Sequence, residues 1–167
     1  MPLTERGHTL IELMFALFIV GILTVLAVSD FGTGLSHYPL RNAGHQLASD
    51  LRLVRQKAIT EGLPNKIEFI PASGQYRLPD LGERFLSPPI RFGVRPGVPH
   101  LPDTGSLPSD GISFSGNKVT FQPNGTVLGV GGTIYLTDDP KRQDTVAVTV
   151  NVTGRVKIYK WNGMEWK

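Results

Sequence analysis

The sequence predicts an α+β protein: a long N-terminal helix, transmembrane in one half and amphipathic in the other, packed against a C-terminal antiparallel β-sheet domain. Three observations predict it. From Leu13 to Val28 only Gly21 and Thr24 interrupt a run of Leu, Ile, Val, Met, Phe and Ala. Counted from Thr9 that is about twenty residues, the length that crosses a bilayer as a helix. From Leu40 to Ala58 apolar residues recur at spacings of three and four, the mark of a helix with one buried face. Beyond Pro64 the apolar period falls to two, and turn residues separate short segments, as in a chain of strands.

The first segment contains a charge, Glu12. A carboxylate inside a bilayer costs about 2.5–3.5 kcal/mol on insertion scales, so it calls for a partner or a purpose. An ordinary secretory signal peptide, cut near Ala27-Val28-Ser29, would have a shorter apolar core without a charge in it. Arg6, just before the run, keeps the N-terminal end on the cytoplasmic side, because basic flanks stay inside. The remainder then faces the periplasm.

The helical pattern is interrupted between Asp30 and Pro39 by Gly32, Gly34 and Pro39, which predicts a bend or softened section. It resumes in the stripe Leu40, Ala43, Leu47, Leu51, Val54 and Ala58, with Arg41, Asp50, Arg52, Gln56, Lys57 and Glu61 mostly off it. Gly62 and Pro64 stop it. Ile67 and Phe69 alternate with Lys66 and Glu68, and Tyr76 with Leu78 forms a second strand after the Ser73-Gly74 turn. Pro88 to Gly111, rich in proline and glycine, reads as a long surface loop. Ile112–Phe114 and Val119–Phe121 read as a hairpin closed by Gly116-Asn117. Asn124-Gly125 is a further turn, followed by strands at Thr126–Leu128 and Thr133–Thr137, and Asp138-Asp139-Pro140 turns the chain again. Val146, Val148, Val150 and Val152 alternate with Ala147, Thr149 and Asn151, and Thr153-Gly154 leads into a last strand from Arg155 to Trp161.

With 167 residues and a formal charge of +3 the chain is a single modest domain on a helix, mildly suited to anionic partners. It has no cysteine, so neither disulfides nor thiolate metal sites are available and packing must hold the fold. Catalysis has little support. His8, His37, His45 and His100 are scattered, without a second ligand or nucleophile at a useful spacing. Gly111-Ile112-Ser113-Phe114-Ser115 lacks the closing glycine of a nucleophile elbow, and Gly129-Val130-Gly131-Gly132 lacks the dinucleotide pattern. No cofactor, metal site or catalytic residue is expected.

The last strand carries the one chemical surface. A two-residue period puts Val156 and Ile158 on one face and Arg155, Lys157, Tyr159 and Trp161 on the other. Interleaved cations and aromatics can contact phosphates and stack on bases. A solvated strand face accounts for the same residues.

Gly7, Thr9-Leu10-Ile11 and Glu12 resemble the type IV prepilin signature. That resemblance implies cleavage after Gly7 by a prepilin peptidase, methylation of the new N-terminus at His8, where the family usually has Phe, and pairing of Glu12 with the amine of a neighbouring subunit. Thr9, Leu10, Ile11 and Leu13 would share the assembly surface with Glu12. Cleavage removes Glu5 with Arg6, so the charge stays +3. Further on, the Leu47–Arg55, Ala58-Ile59 and Glu61-Gly62 run, then Phe121-x-x-Asn124-Gly125, Gly132–Leu136, Val148–Val152 and Gly154-Arg155-Val156-Lys157 are similar to the GspH/FimT subfamily of minor pilins. The implied division is a leader at 1–7, a transmembrane helix at 8–29, the periplasmic half of the long helix at 30–62 and a β-rich pilin domain at 63–167. The implied function is assembly into a periplasmic pseudopilus or pilus tip in support of type II secretion. The implied partners are other pilin subunits, the peptidase and inner-membrane lipid, with secreted cargo and DNA as further candidates. In some members Gly-Arg-x-Arg at this place binds DNA during uptake, which is the alternative function. Here a lysine replaces the second arginine, keeping the charge without the bidentate fork.

Overall fold

The computed structural model describes residues 10–34, 38–101, 108–138 and 144–167, without the side chains of 24–34 and 38. Two compact units divide at Tyr38 and Pro39. The first contains helix α1, Leu10–Gly34, with Glu12 in its first turn. Its described side chains, which end at Leu23, are all exposed, from Leu10 at 78% to Ile22 at 47%. Such a helix, apolar around its circumference, has no solvent face of its own. Among the described residues no helix is long and apolar enough to cross a membrane. The expected bend at 30–39 falls partly on 35–37, outside the described residues.

The second unit is built on helix α2, Tyr38–Glu61. Leu40, Leu47, Leu51, Val54 and Ala58 of the expected stripe are buried, with Ala43 partly so. Asp50, expected off the stripe, is buried too. It accepts Tyr76 Oη at 2.7 Å and Gln46 Nε2 at 3.1 Å, which supplies the hydrogen bonds that a buried carboxylate needs. Burial, and then the bond to Asp50, push the Tyr76 phenol above its ordinary pKa. Gly44 lets the helix come close to the sheet: a Cβ there would lie 2.6 Å from Val146 Cγ1.

Strands β1 (Asn65–Ile70), β2 (Gln75–Leu78), β3 (Gly82–Phe85), β4 (Arg91–Phe92), β5 (Lys118–Phe121), β6 (Gly132–Thr137), β7 (Thr145–Val150) and β8 (Val156–Trp161) form two antiparallel sheets, ordered β3-β2-β1-β5 and β4-β6-β7-β8. Their inner faces and the α2 stripe share one core, in which Ile67, Phe69 and Tyr76 of the first sheet meet Ile134, Val146, Val148 and Val156 of the second. The outer face of the first sheet is polar. Lys118, Glu68, Arg77 and Glu83 lie opposite one another across its four strands with alternating charge, and Glu68 is held below the usual carboxylate range, chiefly by Lys66.

Several sequence readings change, the first being the strand expected at Thr126–Leu128, which makes only an isolated bridge from Val127 to Phe121. Ile112 and Val119 do not form a hairpin: Ile112 bridges to Ile134 in the second sheet, whereas β5 pairs with β1 in the first. Gly116 and Asn117 do turn the chain, with φ of 66° and 50°, but they hand it from one sheet to the other. The 88–111 stretch is not wholly a surface loop, since it contributes β4 and buries Ile90, Phe92, Val98 and Leu101; its 102–107 portion lies outside the described residues. β3 had no alternation to reveal it, because all four of its residues are exposed.

Candidate functional site

The basic strand is positioned by the turn before it. Asn151 Oδ1 accepts the Arg155 amide at 2.8 Å and the Thr153 hydroxyl at 2.8 Å, and Gly154 N donates to the Asn151 carbonyl at 2.9 Å. Gly154 has φ +76°, and a Cβ there would lie 2.0 Å from the Gly125 carbonyl oxygen. Two turns are thus pressed together, and a helix side chain joins them. Arg55 donates from Nε to the Gly125 carbonyl at 2.8 Å and from Nη2 to the Thr153 carbonyl at 3.3 Å, while Arg52 Nη2 donates to the Val156 carbonyl at 3.3 Å. The Leu47–Arg55, Asn124-Gly125 and Gly154-Arg155 motifs therefore meet in one place, where they fix the start of β8.

Arg155, Lys157 and Tyr159 line one groove of about 720 Å³ on the outer face of the second sheet. Val130 and Val152 are further lining residues, as are Leu101 and Trp166, and none of the lining residues is acidic. Lys157 Nζ stands 5.9 Å from the centre of the Tyr159 ring, within cation–π range. The fourth predicted member, Trp161, does not line the groove and is 8% exposed. The cause is the C-terminal segment, which folds back on β8: Lys160 and Lys167 exchange backbone hydrogen bonds of 2.7 and 2.9 Å. Trp166 then packs at 5.6 Å from Trp161 and 6.0 Å from Tyr135, and its Nε1 donates to the Pro99 carbonyl at 2.9 Å. This side of the sheet is therefore a second small core, with Leu101, Tyr135 and Ala147 buried. Sequence reasoning missed Trp166, although Asn162-Gly163 just after the last strand is a hairpin signal.

The N-terminal candidates divide. Gly7, His8 and Thr9 lie outside the described residues. Leu10, Ile11, Glu12 and Leu13 form the exposed first turn of α1. Asp138, at the start of the expected turn, pairs with Arg95 Nη2 at 3.0 Å; Asp139 is outside the described residues. No three His, Cys, Asp or Glu gather as a metal site among the described residues.

A family described as type II transport protein GspH matches residues 43–154, and the prokaryotic N-terminal methylation motif matches residues 3–28. The type II secretion system protein H of Xanthomonas campestris pv. campestris is 28% identical over 115 residues, 66% of this chain and 68% of that one. The fold is similar to that of the type IV minor pilin FimU of Pseudomonas aeruginosa, with a TM-score of 0.52 at 14% identity over 77% of this chain and 92% of that one. It is also similar to the minor pseudopilin EpsH of the type 2 secretion system of Vibrio cholerae, with a TM-score of 0.50 at 12% identity over 72% and 95%.

Proposed function

Since the chain belongs to the GspH family of type II transport proteins, pilin-like minor pseudopilins and not enzymes, we propose that it acts by assembly into a periplasmic pseudopilus that supports type II secretion. In this reading the prepilin peptidase cuts after Gly7 and His8 becomes the methylated N-terminus. Residues 8–29 hold the subunit in the inner membrane, and the β-domain faces the periplasm. Glu12 pairs with the terminal amine of a neighbour and sets the axial register.

The observation that carries the proposal is α1, whose described apolar side chains are exposed on every side. Burying one Leu, Ile, Phe or Met side chain is worth about 1.5–3 kcal/mol. A helix that forgoes this at each turn needs lipid before assembly and other helices after it. The methylation motif at 3–28 overlaps the same stretch. The test is mass spectrometry of the mature protein together with filament incorporation. The mature chain should begin at His8, and Glu12→Leu subunits should be lost from filaments. A chain that still begins at Met1 in a strain with active peptidase, or wild-type incorporation of Glu12→Leu, overturns the reading.

A second reading, a DNA-binding minor pilin of an uptake pilus, is favoured by Arg155, Lys157 and Tyr159 lining one groove. Two phosphate contacts on a single strand give a log–log salt slope of about −1.4. Arg155→Ala with Lys157→Ala should abolish binding, and the absence of any shift at low salt removes this reading without touching assembly.

A further inference from the structure

The groove beside β8 has two cations and no carboxylate among its lining residues, and aliphatic side chains stand among the polar ones of its walls. Val130 is 75% exposed and Val152 51% exposed, with Leu101 and Trp166 also lining the groove. The aromatic rings that could serve as a stacking platform are already engaged. Trp161 is buried, Trp166 packs on Trp161 and Tyr135, and Lys157 stands over the Tyr159 ring. Binding of single strands relies on free aromatic faces for sequence-tolerant stacking. What the groove offers instead is positive charge flanked by aliphatic side chains, and its size is that of a pocket which takes a few side chains at once.

We propose that this groove binds an extended polypeptide segment in which acidic and aliphatic residues alternate, its carboxylates on Arg155 and Lys157 and its aliphatic side chains against Val130 and Val152. Period-two alternation in such a segment points every second side chain the same way. One face therefore meets the charges and the other the aliphatic wall. That the segment belongs to another pilin subunit rests on the assembly reading. The binding itself does not, because it is measured on the isolated chain.

The experiment uses the full chain in phosphatidylcholine nanodiscs and fluorescence anisotropy with three labelled probes: a peptide of alternating Glu and Val, its counterpart with Lys in place of Glu, and a thymidine oligonucleotide. The acidic peptide should bind saturably and the basic one should not. Arg155→Glu with Lys157→Glu should weaken the acidic peptide about tenfold or more, as expected for loss of close charge pairs. Val130→Asp, at an exposed position that leaves the fold intact, should weaken it as well. Equal binding of the two peptides, or indifference to the charge reversal, overturns the proposal. So does tighter binding of the oligonucleotide that is lost in the same variants, which would give the groove to nucleic acid. Wild-type incorporation of Glu12→Leu subunits with peptide binding intact would count against assembly alone.

Discussion

Arg55 Nε lies 2.8 Å from the carbonyl oxygen of Gly125, so a helix side chain from the first third of the sequence holds a turn seventy residues further on. The same guanidinium reaches the Thr153 carbonyl, and the two turns it joins are those that carry Asn124-Gly125 and Gly154-Arg155. Hydrogen bonds to a charged group contribute about 1.5–3 kcal/mol, and this arginine is partly exposed at one of them. Arg55→Ala should therefore lower unfolding stability by about 1–3 kcal/mol in a denaturant titration. Arg55→Lys should restore only part of that, because a single ammonium lacks the planar fork that spans both carbonyls.

Gly44 allows a test of helix-to-sheet packing in which two effects oppose each other. Alanine is better than glycine in a helix interior by about 0.8–1.0 kcal/mol. Yet the new Cβ would stand 2.6 Å from Val146 Cγ1, and overpacking typically costs about 1–3 kcal/mol. Gly44→Ala should therefore be neutral to destabilising in the wild-type background. Once Val146→Ala removes the obstructing methyls, the same substitution should stabilise by about the helix-propensity difference. A double-mutant cycle by denaturant unfolding reads the sign change directly; equal effects in both backgrounds would show that α2 can shift to relieve the contact.

How far these features were legible depends on whether their signal is local. The α2 stripe from Leu40 to Ala58 and the alternation of Val146, Val148 and Val150 were plain, because each states its own period and its own buried face. Gly116-Asn117 was correctly a turn. The partners of the segments on either side were not legible, because Ile112 and Val119 go to different sheets, a choice made by pairing far along the chain. β4 has only two residues in a proline-rich stretch, too few to show a period. At the site, the charged face of β8 followed from spacing. The burial of Trp161 did not, since its cover is Trp166, which lies beyond the strand. β6, buried at all six positions, shows the same effect: both of its faces are covered, and alternation cannot report what lies on top.

Tyr76 ties the first sheet to α2 through Asp50, and its raised pKa, due first to burial and then to that hydrogen bond, sets a pH dependence. In the unfolded chain a tyrosine ionises near pH 10. In the folded chain the phenol keeps its proton well beyond that. Above pH 10 the native state therefore binds more protons than the unfolded state, and stability falls as pH rises. The contribution is fully present below that pH. Stability measured between pH 9 and 12 should decline more steeply in the wild type than in Tyr76→Phe, after correction for the other tyrosines. At neutral pH, Tyr76→Phe should be about 1–3 kcal/mol less stable, the cost of leaving the buried Asp50 carboxylate short of a donor. Parallel alkaline profiles would mean that the phenol reaches solvent before the fold opens.

The two tryptophans of the chain report on the C-terminal segment that covers the outer face of the second sheet. Trp161 is shielded and its ring lies 5.6 Å from that of Trp166, which is itself held by its bond to the Pro99 carbonyl. In Trp166→Phe an aromatic ring remains to pack on Tyr135 and Trp161 while the indole N–H is lost, a change worth about 0.5–1.5 kcal/mol for a neutral hydrogen bond. In Trp166→Ala both are lost and the segment keeps its backbone bonds to Lys160 and those of the Asn162 turn. Acrylamide quenching of the one remaining tryptophan should then be shallow in the phenylalanine variant and steep in the alanine variant. The backbone pairing between Lys160 and Lys167 is common to both, so a steep curve in both would assign the shielding to the indole hydrogen bond. A shallow curve in both would assign it to the paired backbone and remove Trp166 as the residue that closes this face.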